Sequence, residues 1–405
     1  MHSKKFLSLA RRLLRSAVVQ RRFRKGVLIA ASIYLASSVA LAAWLMPAGR
    51  ESPPVGFAAP KPHAKWNRGS LSPGELRTTA LRHARVWTPT AGAHVDLAAN
   101  PPDPAGFLSQ PIVRCRYLDG PASGTTAKFD CVLPDGEIVK VKYGNTGEIQ
   151  AEIAASRLLA RAGFGADQMF MVPRLRCYGC LRTPYYTMKV LDYFHAREHV
   201  ARSVPDDSFT DFEWVGVERR LDAAEIEGAD EDGWAWYELE ALDSPANRAE
   251  RDALRLFAVL LAHWDNKAAN QRLVCLGPAA PGGGACPRAF AYINDLGATF
   301  GPNKVELDHW SEAPIWSDRP RCIVSMRQFP YSGATFPDTP ISEAGRQLLL
   351  RQLQPFTEGQ LVALFTAARF GESRGWWQRS ANPNEWAATF LAKVRQIADG
   401  ARCPQ

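Results

Sequence analysis

His263-Trp264-Asp265-Asn266-Lys267-Ala268-Ala269-Asn270 stands where a strongly helical run, Arg248–His263, gives way to an extended one, Gln271–Leu276. Eight residues gather an imidazole, a carboxylate, an ammonium and an amide at the mouth of a helix. A second extended run, Ala289–Asn294, follows behind the Pro/Gly loop PAAPGGGACP and delivers Asp295-Leu296-Gly297, 25 residues after Asn270. The two runs read as a hairpin. Working outward toward the N-terminus, Ile112–Leu118, Ala127–Leu133 and Glu137–Tyr143 read as strands, separated by the loop DGPASGTT and the turn Pro134-Asp135-Gly136. The third strand ends on Val139-Lys140-Val141-Lys142. Alternation puts Lys140 and Lys142 on one face, so parity does not choose between them. A helix follows to Gly163, with Asn145 and Glu148 spaced as a capping box and Glu152 on its apolar stripe with Ile149 and Ile153.

Further strands are expected at Phe170–Cys177 and Tyr185–Tyr193. Residues 194–247 read as a polar insertion, and Asp222–Asp252 alone holds 11 carboxylates. The last third predicts helices over Ser342–Leu353, Glu358–Phe370 and Pro383–Ala398, the latter two behind Thr357/Gln360 and Asn382/Glu385 boxes. The expected fold class is α+β and two-lobed, with a small β-rich lobe carrying one helix over 111–193 and a larger helical lobe over 194–405. Phosphoryl transfer asks little covalent chemistry of a protein. It needs phosphates held, metal ions bridging them, and an aligned acceptor. Lys142 would neutralise α/β-phosphates and Glu152 would fix its direction. Asp265 would orient the acceptor proton, Lys267 would meet the γ-phosphate, and His263 would brace the loop. Asn270 and Asp295 would hold Mg²⁺ or Mn²⁺, since hard cations take oxygen ligands.

The order Lys142, Glu152, H-x-D-x-K-x-x-N and Asp295-Leu296-Gly297 resembles the atypical branches of the protein-kinase-like superfamily over about residues 111–370. HipA-like, lipid-kinase-related and secretory-pathway casein-kinase-like proteins are the branches in question. The resemblance implies a two-lobed kinase-like fold, ATP as cofactor, and the roles above for Lys142, Glu152, Asp265, Asn270 and Asp295. No G-x-G-x-x-G is present; Ser123, Gly124 and Thr125, with Gly120 and Thr126, are the loop's candidates for phosphate contact. The acceptor class stays open between protein, glycan and small molecule. Two rival functions keep the same residues, a binding or scaffold module that does not turn over and a transferase of AMP.

Charge argues against nucleic acid as a partner. Residues 1–50 carry ten Lys or Arg and no Asp or Glu, leaving 39 basic against 41 acidic residues in the remainder. That clustering is a topology signal. Residues 1–26 read as a basic cytoplasmic segment and 27–46 as a membrane-spanning anchor of twenty uncharged residues. A Pro/Gly-rich stalk over 47–110 is expected next, with a short helix near Gly74–Trp87 and a periplasmic or extracellular C-terminal domain. A cleavable signal peptide ending near Ala40-Leu41-Ala42 is the rival reading. All eight cysteines follow residue 46; the local pairs Cys115–Cys131, Cys177–Cys180 and Cys275–Cys286 suggest themselves, Cys322–Cys403 would be left over, and the sequence leaves the connectivity open.

Overall fold

The computed structural model describes residues 45–404 apart from 90–95, 121–123, 196, 202, 229–232, 242–244, 279–281, 331–334 and 373–380. The chain divides into two compact units. One joins the residues up to Ser52 with Gly179–Thr210, and the other joins Pro53–Tyr178 with Asp211–Gln405.

In the smaller unit, β1 (Gly49–Arg50) pairs antiparallel with the start of a later strand, Gly49 opposite Phe209. The remaining elements of the larger unit up to the loop after residue 178 are α1 (Pro73–His83), β2 (Val113–Leu118), β3 (Lys128–Val132), β4 (Ile138–Lys142), α2 (Gly147–Arg161) and β5 (Gln168–Tyr178). The smaller unit then supplies α3 (Pro184–Tyr193) and α4 (Arg197–Ala201). The expected strand at Tyr185–Tyr193 is therefore a helix. Pro184 occupies its first turn, and the buried Tyr185 and Met188 stand three apart, a helical spacing that the run of β-prone aromatics masked.

Next comes β6 (Ser208–Arg219), which pairs with β4 on one side and with β5 on the other. Since β4 pairs β3, β3 pairs β2 and β2 pairs β5 in parallel, the five strands β2–β6 close on themselves. The architecture is a closed mixed barrel with helices, and this corrects the expected two-lobed kinase-like fold. The stretch 194–247, expected to be an insertion, supplies the strand that shuts the barrel. The difference has a local cause. Burial alternates through Ser208, Thr210 and Phe212, breaks at the exposed pair Glu213 and Trp214, where Trp214 takes φ 50°, and is continuous from Val215 to Arg219. A bulge of this kind breaks period-2 patterning.

The barrel interior is apolar, with Val113, Cys115, Cys131, Val139, Val141, Leu175, Cys177, Val215 and Val217 all essentially inaccessible. Its outer face carries the polar alternates Lys128, Asp130, Lys140, Lys142 and Glu218. The chain continues through β7 (Ala224–Glu225), α5 (Trp236–Ala241), α6 (Pro245–Leu260), β8 (Gln271–Cys275), β9 (Ala289–Ile293), α7 (Leu307–Glu312), β10 (Ile323–Val324), β11 (Thr339–Pro340), α8 (Glu343–Leu353), α9 (Glu358–Ala367) and α10 (Pro383–Ala398). Helices α6 and α8 pack along each other, as do α9 and α10. Phe300 seals that layer, inaccessible and in edge contact with Trp310, Phe365, Phe370 and Trp386. Capping boxes at Ser72/Glu75, Thr357/Gln360 and Asn382/Glu385 start α1, α9 and α10.

Residues expected to form a stalk are folded. Trp66, Leu76, Ala80, Leu81 and Val86 lie in the main core, and Arg77 holds Glu238 at 2.6 Å. Disulfides join Cys115–Cys131, Cys275–Cys286 and Cys322–Cys403. Cys177 and Cys180 are disulfide-bonded as well. Among the described residues no helix is long and apolar enough to cross a membrane. The expected anchor over 27–46 falls almost wholly on residues 1–44, outside the described residues. The expectation of a single-pass membrane protein with a periplasmic or extracellular domain is corrected on that finding.

Candidate active site

The hairpin of β8 and β9 does the first piece of assembly. Its register places Gln271 opposite Ile293, so the residues just beyond, Asn270 and Asn294–Asp295, meet at one end. The backbone carbonyl of Asn270 accepts from the amides of Asn294 at 3.1 Å and Asp295 at 3.3 Å. Asn270 also donates from Nδ2 to the Asp265 carbonyl at 2.9 Å, which locks the 263–270 loop onto the hairpin and turns Oδ1 the other way. His263 is buried, and its Nδ1 lies 3.3 Å from the Ala298 carbonyl. Burial pushes its pKa down, so the ring is a neutral brace at pH 7. Lys267 reaches back to both carboxylate oxygens of Asp265 at 2.9 Å.

The barrel supplies the other wall. Lys142 points from the outer face into α2, where its Nζ meets both oxygens of Glu152 at 2.7 and 2.8 Å. Lys140, the residue parity left equivalent, instead holds Glu218 at 2.8 Å. Lys142 is nearly inaccessible, and Glu218 at 3.6 Å and Glu148 at 3.9 Å complete its anionic surroundings. Burial alone would lower its pKa, but Glu152, Asp295, Glu218 and Glu148 outweigh that and hold it well above the ordinary lysine value. Burial pushes the Glu152 carboxyl up, while the Lys142 ammonium against it pulls the other way and favours the ion pair. Asp295 behaves oppositely. Burial opposes its charge, yet Lys142, the Gly297 amide at 3.2 Å, Lys128 and Lys140 keep its carboxyl far below the usual range. Asp295 is thus a fixed anion among three lysines.

The structure therefore brings together Lys142, Glu152, Asp295, Asn270, Asp265, Lys267 and His263. Gly124 and Thr125 lie on the exposed loop before β3, and Ser123 lies outside the described residues. Lys128, opposite Lys142 in the β3–β4 register, was not anticipated. Burial, with Lys142 and Lys140 nearby, pushes its pKa down, and its Nζ sits so close over Gly124 that a Cβ there would lie 2.9 Å away. Glu148 is not the capping-box partner that its spacing from Asn145 suggests. The N-cap is Thr146, one residue later than expected, and the Glu148 carboxylate instead accepts from Thr126 and Lys304 deep in the site. A one-residue shift of the helix start turned a cap into a site residue.

No family model matches this chain. No curated protein and no solved structure matches it either. Function is therefore carried by the chemistry of the site. A carboxylate held ionised suits a hard divalent cation, and the Oδ1 of the preceding residue, Asn294, is buried with no hydrogen-bond partner among the described residues. A cavity of about 550 Å³ adjoins the loop, lined by Ile138 of β4, Ile226, Leu273, Ala269 and Gln271, with Lys65, Arg220, Glu225, Glu227 and Arg272 as its charged groups. That volume falls in the range of small-molecule sites.

Proposed function

We propose that this site binds ATP with Mg²⁺ or Mn²⁺ and transfers its γ-phosphoryl group to an acceptor hydroxyl. The observation that supports the reading is one buried ammonium, Lys142, held by Glu152 in electrostatic reach of the ionised Asp295, which itself sits backbone-to-backbone with Asn270. Asp295 and Asn270 would hold the cation, which when bound neutralises charge on the phosphate oxygens.

Each side chain then has one task. Lys142 and Lys128 pair with phosphate oxygens. Lys267 now sits on Asp265; an arriving γ-phosphate offers it a stronger partner, and its departure exposes the Asp265 carboxylate to the acceptor. The acceptor oxygen bonds to the γ-phosphorus as the bond to the β-bridging oxygen breaks, ADP leaves with that electron pair, and the acceptor proton passes to Asp265. The nucleoside has the adjoining cavity, where Ile138, Ile226 and Leu273 provide apolar contact. The order of these residues in the chain resembles that of kinase-like enzymes.

The test uses the full chain with Mg²⁺ or Mn²⁺ and ATP labelled at either the α or the γ position. Label transferred only from γ, and abolished in Asp295→Ala, is the expected result. Label from α alone assigns nucleotidyl transfer instead. No transfer, with no nucleotide-dependent thermal shift that distinguishes wild type from Asp295→Ala, overturns the proposal.

A further inference from the structure

The Glu148 carboxylate ties together four parts of the chain. It accepts from Thr126 Oγ1 on the loop before β3 and from Lys304 Nζ on the segment after Gly297. It stands 3.9 Å from Lys142 Nζ, and its Cγ lies so close over Gly297 that a Cβ there would be 2.3 Å away. Glu148 is buried, so this arrangement is enclosed and not a solvated surface pair. The segment that delivers Lys304 is bent against its preference, with Phe300, Lys304 and Val305 all at positive φ, 59°, 62° and 51°. Non-glycine residues persist there only where surrounding contacts over-determine them.

Glu148 and Glu152 share one helix, one turn apart, and both lie within reach of the same ammonium. Glu152 holds Lys142 with both carboxylate oxygens, while Glu148 stands 3.9 Å away. Glu148 competes for that ammonium unless its charge is satisfied elsewhere. We propose that Lys304 is a positioning residue: by neutralising Glu148 it keeps Lys142 on Glu152, and so sets the phosphate-binding arrangement through another side chain. The inference rests on the phosphoryl-transfer reading for its consequence, but the clasp itself has a readout of its own. It also makes the 299–306 segment a control point, because whatever draws Lys304 away releases Glu148 onto Lys142.

The experiment compares full-length wild type, Lys304→Met, Lys304→Arg and the double variant Lys304→Met/Glu148→Gln. Affinity for MgATP is measured by calorimetry, and amide hydrogen exchange is followed across 145–152 and 299–306. Lys304→Met is expected to weaken MgATP about tenfold and to speed exchange in both segments, while Lys304→Arg stays near wild type. Removing the competing charge in the double variant restores affinity to within about threefold, but leaves 299–306 exchanging fast. A merely structural role for Lys304 gives no such rescue, so a double variant as weak as the single one overturns the inference. Wild type that binds no MgATP sinks the phosphoryl-transfer reading alone. The clasp is then decided by exchange, and unchanged protection at 145–152 in Lys304→Met overturns it.

Discussion

Replacing Lys142 by Met is expected to damage the fold more than replacing its partner Glu152 by Gln, although both changes break the same ion pair. Breaking a buried pair by removing one member costs roughly 3–5 kcal/mol, because the surviving charge is left without compensation. The two survivors here are not equivalent. Without Glu152, Lys142 still has Glu218 at 3.6 Å and Glu148 at 3.9 Å, so the cost belongs at the lower end, about 3 kcal/mol. Without Lys142, Glu152 is inaccessible and pairs with no other cation among the described residues, and Asp295 loses the first of the groups that hold it ionised. That cost belongs at the upper end, about 5 kcal/mol. Glu148 and Glu218 keep Lys304 and Lys140, so the double variant Lys142→Met/Glu152→Leu is expected to be less destabilised than Lys142→Met alone. Urea unfolding at pH 7, followed by tryptophan fluorescence with disulfides intact, measures all three. Glu152→Gln equal to or worse than Lys142→Met, or a double variant worse than either, refutes the shared-cation reasoning.

Three further outcomes follow from other parts of the molecule. Cys322–Cys403 spans 81 residues and Cys275–Cys286 only 11, so loop-closure entropy assigns about 4.5 against about 3 kcal/mol, and paired Ser variants unfolded by urea should rank in that order. Glu343 is bonded by Arg346, Gln347 and the Cys403 amide, which hold its pKa at about 2 against an ordinary 4.5. A carboxylate so depressed contributes stability that is fully present above pH 4.5 and is lost as pH falls toward 2. Glu343→Gln should therefore flatten the stability profile between pH 4.5 and 2, and an unchanged slope contradicts the assignment. Phe300→Ala removes the ring that touches Trp310, Phe365, Phe370 and Trp386, and should cost about 3–5 kcal/mol by the same unfolding assay, with a loss under 1 kcal/mol as the contrary result.

Much of the site was legible because its parts are local. The HWDNKAAN loop, the hairpin after it and Asp295-Leu296-Gly297 each declare themselves in a window of a few residues, and the β8–β9 register does the rest. Lys142 and Glu152 are ten residues apart across a strand-to-helix turn, again a short-range relation. What the sequence hid was long-range or out of phase. The closing strand β6 carries a bulge at Trp214 that spoils alternation, so its pairing with β4 and β5 could not be read from pattern. Lys304 contacts Glu148 across 156 residues, which no spacing rule reports. Residues 53–110 are Pro-rich and aperiodic, and their burial depends on single anchors such as Trp66, whose indole donates to the Gly284 carbonyl at 2.8 Å.

Electron paramagnetic resonance of Mn²⁺ with the full chain, titrated with ATP, reads the proposed centre most directly. Mn²⁺ held by protein only when ATP is present, in wild type but not in Asp295→Asn or Asn270→Ala, is the expected result. A spectrum identical to Mn²⁺–ATP free in solution, or one that both substitutions leave unaltered, contradicts the assignment of those two side chains to a metal–phosphate site.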